Sequence, residues 1–455
     1  MKNGCDLNCG TVFRKLSNAV EKRLITEANI DRAVGRLLKT RMKLGIFDPP
    51  EMVPYTQIPY EIINCEEHRR LALETARQGM VLLKNKNRFL PLRKEVIKSI
   101  AVIGPNADRK SILLGNYYGT PSRYVTPLVG IRAAVGSGVK VYYAEGCPLS
   151  KRDTGYRGDS PTSGFAEAIT AAERADVVLL CLGISPELEG EEGAVANSDG
   201  GGDRTELELP GMQEELLKTM VATGKPVILA LFNGSPLAVN WAQENVPAII
   251  EAWYPGAEGG TALADVIFGV YNPAGRLPVT FVKSVRQLLA FTDYNMKGRT
   301  YRYPEEDPLY PFGYGLSYTE FSYNELTLSP ARIDSGADQK IRIQVEVTNT
   351  GQYAGDEVVQ LYVKDVEASV SVPQWELRRF QRLHLTPGAK QRVEFSLSLR
   401  DLALIDEEGS CWLEPGKFII YVSGQQPDRR SRELTGKEVL GVVFEVAGSR
   451  RELEY

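Results

Sequence analysis

Histidine and cysteine are scarce in this sequence of 455 residues, which contains two histidines and six cysteines. Six scattered cysteines are too few for a disulfide scaffold, and two histidines argue against a zinc site or a Ser-His-Asp triad. No apolar run approaches the roughly 20 residues that span a bilayer, and the polar stretch 1–10 shows no signal peptide. The 54 basic and 58 acidic residues give a net charge of −4, which argues against a general nucleic-acid binder.

The first structured segment is predicted to be a pair of helices within residues 11–46. Apolar residues recur there at helical spacing on both sides of a break at 24–26. Thr26 is expected to cap the second helix, and Asp48-Pro49-Pro50 to end it. Two helices alone cannot form a core of useful size, so we expect another element to cover their apolar faces.

Helix and strand patterns alternate between residues 66 and 285, after a proline-containing linker at 50–65. Continuous apolar runs are typical of strands buried on both faces, and they lie at 81–83, 100–103, 139–143, 177–182, 227–232 and 248–252. Helical stretches between them include 165–175, 212–222 and 261–268. This alternation predicts an α/β domain with a mostly parallel sheet.

A second pattern begins near residue 340, where apolar and polar residues alternate with a period of two. Several such runs, separated by turn sequences such as Pro387-Gly388, predict a β-sandwich over residues 331–448. Residues 286–330 are rich in tyrosine, proline and glycine without a clean period, and they are predicted to be a connection.

The most unusual segment is 185–209, which follows a predicted buried strand and holds eight acidic residues against one base, Arg204. Long loops at the carboxyl end of such strands often carry function. Three interpretations remain open on composition alone. The segment could be a solvated acidic loop, a calcium site without the usual ligand spacing, or the source of a general acid/base carboxylate.

Several stretches of the chain form a distinctive series, which includes ARQGMVLLKN (76–85), AVIGPNAD (101–108), LEGEE (188–192), GGDRTELELPGMQEELL (201–217), VILALFNGSPLAVNWA (227–242), WYPGAEGGTALADVIFGVYNPAGRLPVTF (253–281), YPFGYGLSYTEF (310–321) and VTNTGQYAGDEVVQLYV (347–363). Together, and in this order, they resemble glycoside hydrolase family 3, most closely its β-xylosidase-like group. The resemblance implies a (β/α)8 barrel, then an α/β sandwich, then a fibronectin type III-like domain. Residues 1–49 resemble only the closing part of the barrel, so most of the barrel is expected to be missing.

The resemblance also implies a retaining mechanism, in which one carboxylate attacks the sugar and a second protonates the leaving oxygen. The family nucleophile is a barrel aspartate, and no position of this sequence matches it or the barrel Lys-His pair that holds the sugar. The acid/base comes from the acidic loop, where Glu191 fits the family pattern best and Glu192 and Glu189 remain alternatives. Cys9 resembles a cysteine whose family partner lies beside the nucleophile.

The function implied by the resemblance is exo-acting β-xylosidase-like hydrolysis of β-linked xylo-oligosaccharides in xylan breakdown. No metal, organic cofactor, nucleic acid or membrane is expected to take part, and the chain alone is expected to be inactive. The alternatives are β-glucosidase specificity, a non-catalytic carbohydrate-binding or pseudoenzyme remnant, and one half of a split enzyme that needs a separate barrel chain. Complete relatives are often secreted or periplasmic, and the sequence leaves the compartment undecided.

Overall fold

A computed structural model describes residues 1–150, 160–190, 204–337 and 339–454 of the chain. The chain divides into two compact units, Met1–His68 and Arg69–Tyr455. Within the described residues, no helix is both long enough and apolar enough to cross a membrane.

The first unit contains the two helices predicted from the sequence, α1 (Leu16–Glu21) and α2 (Glu27–Lys43). Thr26 is the N-cap of α2, as expected, and its backbone N–H donates to Asn29 Oδ1 at 3.1 Å. A 3₁₀ turn, Val12–Lys15, precedes α1. The proline-containing stretch after α2 forms three more 3₁₀ turns, at Pro50–Met52, Pro54–Gln57 and Tyr60–Ile62.

The second unit begins with a six-stranded sheet, whose order is β1-β6-β5-β4-β2-β3. Its strands are β1 (Val81–Asn85), β2 (Ser99–Ile103), β3 (Lys140–Ala144), β4 (Val177–Gly183), β5 (Val227–Phe232) and β6 (Ala248–Glu251). All neighbours pair in parallel except β1, which is antiparallel to β6. The predicted α/β domain with a mostly parallel sheet is therefore confirmed.

Helices cover both faces of this sheet. They are α3 (Glu66–Gly79), α4 (Pro127–Val135), α5 (Phe165–Glu173), α6 (Gln213–Ala222), α7 (Asn240–Asn245) and α8 (Gly259–Ile267). Residues of α5, α6 and α7 belong to one apolar core, and residues of α3, α4 and α8 to the other. Along β4, Val178 and Leu180 belong to the first core, whereas Val177 and Leu179 belong to the second. Burial on both faces explains why the strand sequences are continuously apolar.

The β-sandwich consists of a five-stranded sheet of order β11-β10-β15-β16-β8 and a three-stranded sheet of order β12-β9-β7. A small third sheet has the order β13-β14-β17, and one helix, α9 (Arg429–Thr435), precedes β16. The strands are β7 (Phe321–Ser329), β8 (Arg332–Asp334), β9 (Ile341–Asn349), β10 (Gly355–Asp365), β11 (Glu376–Leu385), β12 (Lys390–Leu397), β13 (Leu404–Ile405), β14 (Cys411–Leu413), β15 (Gly416–Ser423), β16 (Leu440–Ala447) and β17 (Arg451–Glu452). One apolar core fills the space between the two larger sheets.

Strand β7 differs from the sequence-based expectation, because it lies inside the range 286–330 that was expected to be a connection. It pairs with β9 and so belongs to the sandwich. The register shifts between Asn324 and Thr327, and Glu325 has a φ of 53°. Such a bulge interrupts the alternation of apolar and polar residues, which is why the period of two is hidden in the sequence.

Candidate functional site

The candidate site lies at the carboxyl ends of three neighbouring parallel strands, β4, β5 and β6. Open α/β sheets bind ligands at this edge. The chain leaves β4 at Gly183 and enters a short 3₁₀ helix, Pro186–Glu189. It leaves β5 into Asn233-Gly234-Ser235, and it leaves β6 at Glu251. These three exits bring polar side chains from distant parts of the sequence together.

The exit from β4 is held by the first residue of α6. Gln213 is fully buried, and its Oε1 accepts a hydrogen bond from the Gly183 N–H at 2.8 Å. Its Nε2 donates to Gly183 O at 2.7 Å and to Leu149 O at 2.8 Å. An amide that satisfies both backbone groups of Gly183 fixes the point from which the acidic segment departs.

Glu189 anchors the start of the acidic segment to the other two exits. Its Oε2 accepts hydrogen bonds from the Gly234 N–H, at 3.1 Å, and from the Tyr254 hydroxyl. Its Oε1 accepts a hydrogen bond from the Ser235 hydroxyl. A Cβ at position 234 would lie 2.8 Å from Glu189 Oε2 and 2.9 Å from Tyr254 Cε2, so only glycine fits there.

Ser235 also contacts Arg204, in the part of the acidic segment that leads to α6. Arg204 Nη1 donates to Ser235 Oγ at 3.3 Å, and Arg204 Nη2 donates to Glu208 O at 3.4 Å. The described chain is interrupted between Gly190 and Arg204. Glu189 lies just before this stretch and Arg204 just after it, and both contact the Ser235 hydroxyl. The two described flanks of the acidic segment therefore meet at one point at the carboxyl edge of the sheet.

The buried carboxyl group of Glu251 is connected to Ser235 through hydrogen bonds of Asn233. Glu251 is fully buried; its Oε2 accepts a hydrogen bond from Asn233 Nδ2 at 3.1 Å, and its Oε1 accepts one from the Trp253 N–H at 3.0 Å. Asn233 Nδ2 also donates to Ser235 O at 3.0 Å. Hydrogen bonds therefore run from Glu251 through Asn233 to Ser235 and on to Glu189.

The electrostatics of the site follow from burial. The pKa of Glu251 is raised to about 8, chiefly by burial; the nearby Glu189 contributes to the rise, and the hydrogen bonds from Trp253 and Asn233 oppose it. Burial and Glu189 also raise the pKa of the Tyr254 phenol, which stays protonated and donates. Burial lowers the pKa of the Arg204 guanidinium and Glu189 raises it, and the group keeps its charge at ordinary pH.

The residue predicted to be the acid/base, Glu191, lies outside the described residues, and so does its alternative Glu192. Glu189, the other alternative, is described, and its oxygens are engaged as hydrogen-bond acceptors. Cys9 is a free cysteine. Among the residues that the structure describes, no group of three or more His, Cys, Asp or Glu side chains could hold a metal ion.

Of the residues that build this anchor, Glu189 was an alternative acid/base in the sequence-based prediction, whereas Ser235, Tyr254 and Glu251 had no predicted role. Ser235 and Tyr254 occur in stretches that resemble the family, but nothing in the local sequence predicts that both contact Glu189. Glu251 did offer a signal, since it is the one charged residue at the end of an otherwise apolar strand. Charged residues are almost never fully buried without a specific partner.

Comparison with known proteins then decides the family. A family model described as the glycosyl hydrolase family 3 C-terminal domain matches residues 80–318, more than half of the chain. This chain belongs to glycosyl hydrolase family 3. A fibronectin type III-like model matches residues 357–426, within the β-sandwich. The family and the fold class predicted from the sequence are thus confirmed.

The curated relatives of this family 3 chain include both xylosidases and glucosidases. A β-xylosidase of Formosa agariphila is 40% identical over 422 residues, which cover 90% of this chain and 55% of the relative. A periplasmic β-glucosidase of Salmonella typhimurium is 36% identical over 454 residues, covering 93% of this chain and 58% of the relative. The chain therefore spans little more than half the length of these relatives.

The similar solved structures also include both a β-glucosidase and a β-xylosidase. A β-glucosidase from Erythrobacter marinus matches with a TM-score of 0.83 at 35% identity, covering 98% of this chain and 59% of that protein. A family 3 exo-β-xylosidase in complex with a xylobiose aziridine probe matches with a TM-score of 0.84 at 31% identity, covering 99% of this chain and 57% of that protein.

Proposed function

We propose that this chain supplies the acid/base part of a retaining glycoside hydrolase of the β-xylosidase type. The observation that carries the proposal is the anchoring of both flanks of the acidic segment on Ser235, at the ligand-binding edge of the sheet. Both described flanks of the acidic segment thus lie at the edge where sheets of this kind bind ligands. The names of the relatives support glycoside hydrolysis as the reaction.

Glu191 is our proposed acid/base. It follows Glu189 by two residues in the sequence, and it fits the family pattern for the acid/base best. Glu189 itself is a poorer candidate, because three hydrogen bonds already occupy its oxygens. In a retaining mechanism, Glu191 would first protonate the leaving oxygen and then take a proton from the water that releases the sugar. Neighbouring carboxylates favour a protonated acid by raising its pKa.

The nucleophile is proposed to come from a barrel part of the kind that precedes this region in the family. More than 40% of the length of the Formosa and Salmonella relatives has no counterpart in these 455 residues. An acid without a nucleophile and sugar-holding groups loses covalent catalysis and positioning, and positioning alone can be worth roughly 7–11 kcal/mol. We therefore propose that these 455 residues alone do not hydrolyse glycosides.

The proposed substrate is a β-linked xylo-oligosaccharide, cleaved from its end. The 40% identity to the β-xylosidase of Formosa agariphila supports a xyloside, rather than a glucoside, as the proposed substrate. The β-glucosidases among the relatives keep β-glucosidase activity as the second candidate. A non-catalytic carbohydrate-binding or pseudoenzyme role is the outcome if no barrel part restores activity. A split enzyme is the outcome if a barrel part supplied as a separate chain restores it.

A chimera tests the proposal. The part of the Formosa relative that this chain does not match is placed before residue 1, and hydrolysis of aryl and alkyl β-xylosides is measured. Glu191→Ala should lower kcat on methyl β-xyloside by roughly 10²–10⁴-fold. It should slow the first step of dinitrophenyl β-xyloside hydrolysis far less, because that leaving group needs no proton. Glu187→Ala, an exposed acid of the same segment, is the control and should leave both rates nearly unchanged.

Equal losses of Glu191→Ala on both substrates, or no loss on either, would move the acid/base role to Glu192 or Glu189. Faster cleavage of aryl β-glucosides than of aryl β-xylosides would overturn the proposed sugar preference.

A further inference from the structure

A cleft away from the candidate site lies between the segment that follows the α/β sheet and the β-sandwich. A cavity of about 550 Å³ is lined by residues of 280–283, 301–308, 374–375 and 426–429. A neighbouring cavity of about 570 Å³ shares Thr280, Tyr301 and Pro304 with the first. Each volume falls in the usual range for small-molecule sites. The two cavities adjoin along this shared wall, and together we call them the Trp375 cleft.

Two aromatic side chains in the cleft wall are held in place by the protein. Trp375 Nε1 donates to Gln426 Oε1 at 3.0 Å, and Gln426 is 3% exposed. Tyr301 stacks on Phe312, with ring centroids 4.1 Å apart and planes 10° apart, and its hydroxyl accepts from the Leu377 N–H at 3.1 Å. Rings that are fixed before a ligand arrives lower the entropy cost of binding it.

The charged groups of the first cavity are mostly acidic. Its lining contains four carboxylates against two cations, namely Glu305, Glu306, Asp307 and Asp428 against Lys283 and Arg429. Arg429 pairs with Asp307, which leaves the remaining acids in excess over Lys283. The second cavity adds Arg286, Arg299 and Arg302, so the two linings together hold four carboxylates and five cations. A nearly balanced charge of this kind favours a neutral ligand over a polyanion or a polycation.

We propose that the Trp375 cleft binds a neutral, linear oligosaccharide. Sugar rings combine apolar C–H faces, which pack on aromatic rings, with a rim of hydroxyls, which bond to carboxylates, amides and hydroxyls. The cleft offers this combination through the ring of Trp375 on one hand and the exposed polar groups of Glu305 and Gln374 on the other. The adjoining cavities, of about 550 and 570 Å³, have room for linked sugar rings. The site is distinct from the anchor at Ser235, and it would hold a polymer near the enzyme without cleaving it.

Binding of xylotetraose to the 455-residue chain tests the proposal, by calorimetric titration and saturation-transfer NMR. We expect saturable binding that weakens at least tenfold in Trp375→Ala and severalfold in Glu305→Gln, an exposed position at which folding is not at risk. Trp412→Ala is the matched control, because Trp412 lies under Arg450, 4.0 Å from the ring centroid, and outside the cleft. Thermal unfolding curves check that each variant folds.

Three results would overturn the proposal. The first is no saturable binding of xylotetraose or cellotetraose by the unmodified chain at millimolar concentration. The second is binding that Tyr254→Phe abolishes and that Trp375→Ala and Glu305→Gln leave intact, which would place the sugar at the candidate site. The third is direct, salt-sensitive binding of tetralysine that Glu305→Gln weakens, with no binding of either sugar, which would assign the cleft to basic peptides.

Discussion

Replacing Glu251 by glutamine is expected to remove a pH dependence from the stability of the chain. In the folded protein burial raises the pKa of this carboxyl from 4.5 to about 8. Between these two values the folded state keeps the proton and the unfolded state has lost it. The free energy of unfolding contributed by this group is therefore fully present below pH 4.5, and it falls as the pH rises towards 8.

The magnitude follows from the size of the rise. One proton contributes about 1.4 kcal/mol per pH unit, so the full rise from 4.5 to about 8 corresponds to about 5 kcal/mol. Over the practical range from pH 5.5 to pH 9, the contribution to wild-type stability should fall by about 3 kcal/mol. That is a large fraction of the 5–15 kcal/mol by which domains are typically stable.

The assay is urea unfolding followed by tryptophan fluorescence, at pH values between 5.5 and 9, for the wild type and Glu251→Gln. Glutamine has nearly the same shape and does not titrate. The stability of the variant relative to the wild type should therefore rise with pH and level off above pH 8. The comparison cancels the titration of all other groups that the substitution does not touch.

Asp176→Asn is the control for sign. Hydrogen bonds from the Lys98 and Ser99 N–H groups lower the pKa of Asp176 below 3.8, so its contribution is lost only as the pH falls towards the acid range. Its difference from the wild type should stay constant between pH 5.5 and 9. A constant difference for Glu251→Gln, or one that falls with pH, would refute the assignment of a neutral buried carboxyl at Glu251.

Three further outcomes are expected. Asn349→Ala should destabilise the β-sandwich by about 2–4 kcal/mol in chemical unfolding. Asn349 is fully buried, and its side chain forms hydrogen bonds with Thr319, Gly351, Tyr353 and Leu385. The control Asn324→Ala, at an exposed position of β7, should cost less than about 0.5 kcal/mol. Gly130→Ala should lower the melting temperature sharply or prevent folding, because the new Cβ would lie 2.0 Å from Gly260 O, where α4 packs on α8. The control Gly138→Ala should be nearly neutral, because its Cβ would lie 3.7 Å from Val135 O. Incubation of the purified 455-residue chain with p-nitrophenyl β-xyloside should release no more p-nitrophenol than the Glu191→Ala chain does, and a clear excess would reveal a nucleophile within these residues.

Much of the fold could be predicted from the sequence, because burial imposes simple patterns on it. Strands such as β4 and β5 are covered on both faces and so are continuously apolar, and β9 and β12 alternate because one face is exposed. The alternation of apolar and polar residues does not reveal a strand whose backbone is interrupted by a bulge. The bulge between Asn324 and Thr327 hides β7 in this way.

The candidate site was harder to predict, since it depends on contacts between residues that are far apart in sequence. The acidic segment is visible by composition, and its place after β4 points to the correct edge of the sheet. Ser235 and Tyr254 lie 46 and 65 positions after Glu189 in the sequence, so their contacts with it form only when the intervening chain is folded. No local pattern encodes such a contact, and only the resemblance to a family draws attention to these stretches.

The central claim, that Glu191 is the acid/base of a retaining hydrolase, is tested most directly by azide rescue in the chimera with the Formosa part. In the second half of a retaining reaction, the acid/base activates water, and azide can replace water without such activation. Azide should therefore raise the turnover of Glu191→Ala on dinitrophenyl β-xyloside and yield β-xylosyl azide, with no such gain in Glu192→Ala or Glu189→Ala. Rescue of Glu192→Ala or Glu189→Ala, with Glu191→Ala unaffected by azide, would contradict the account.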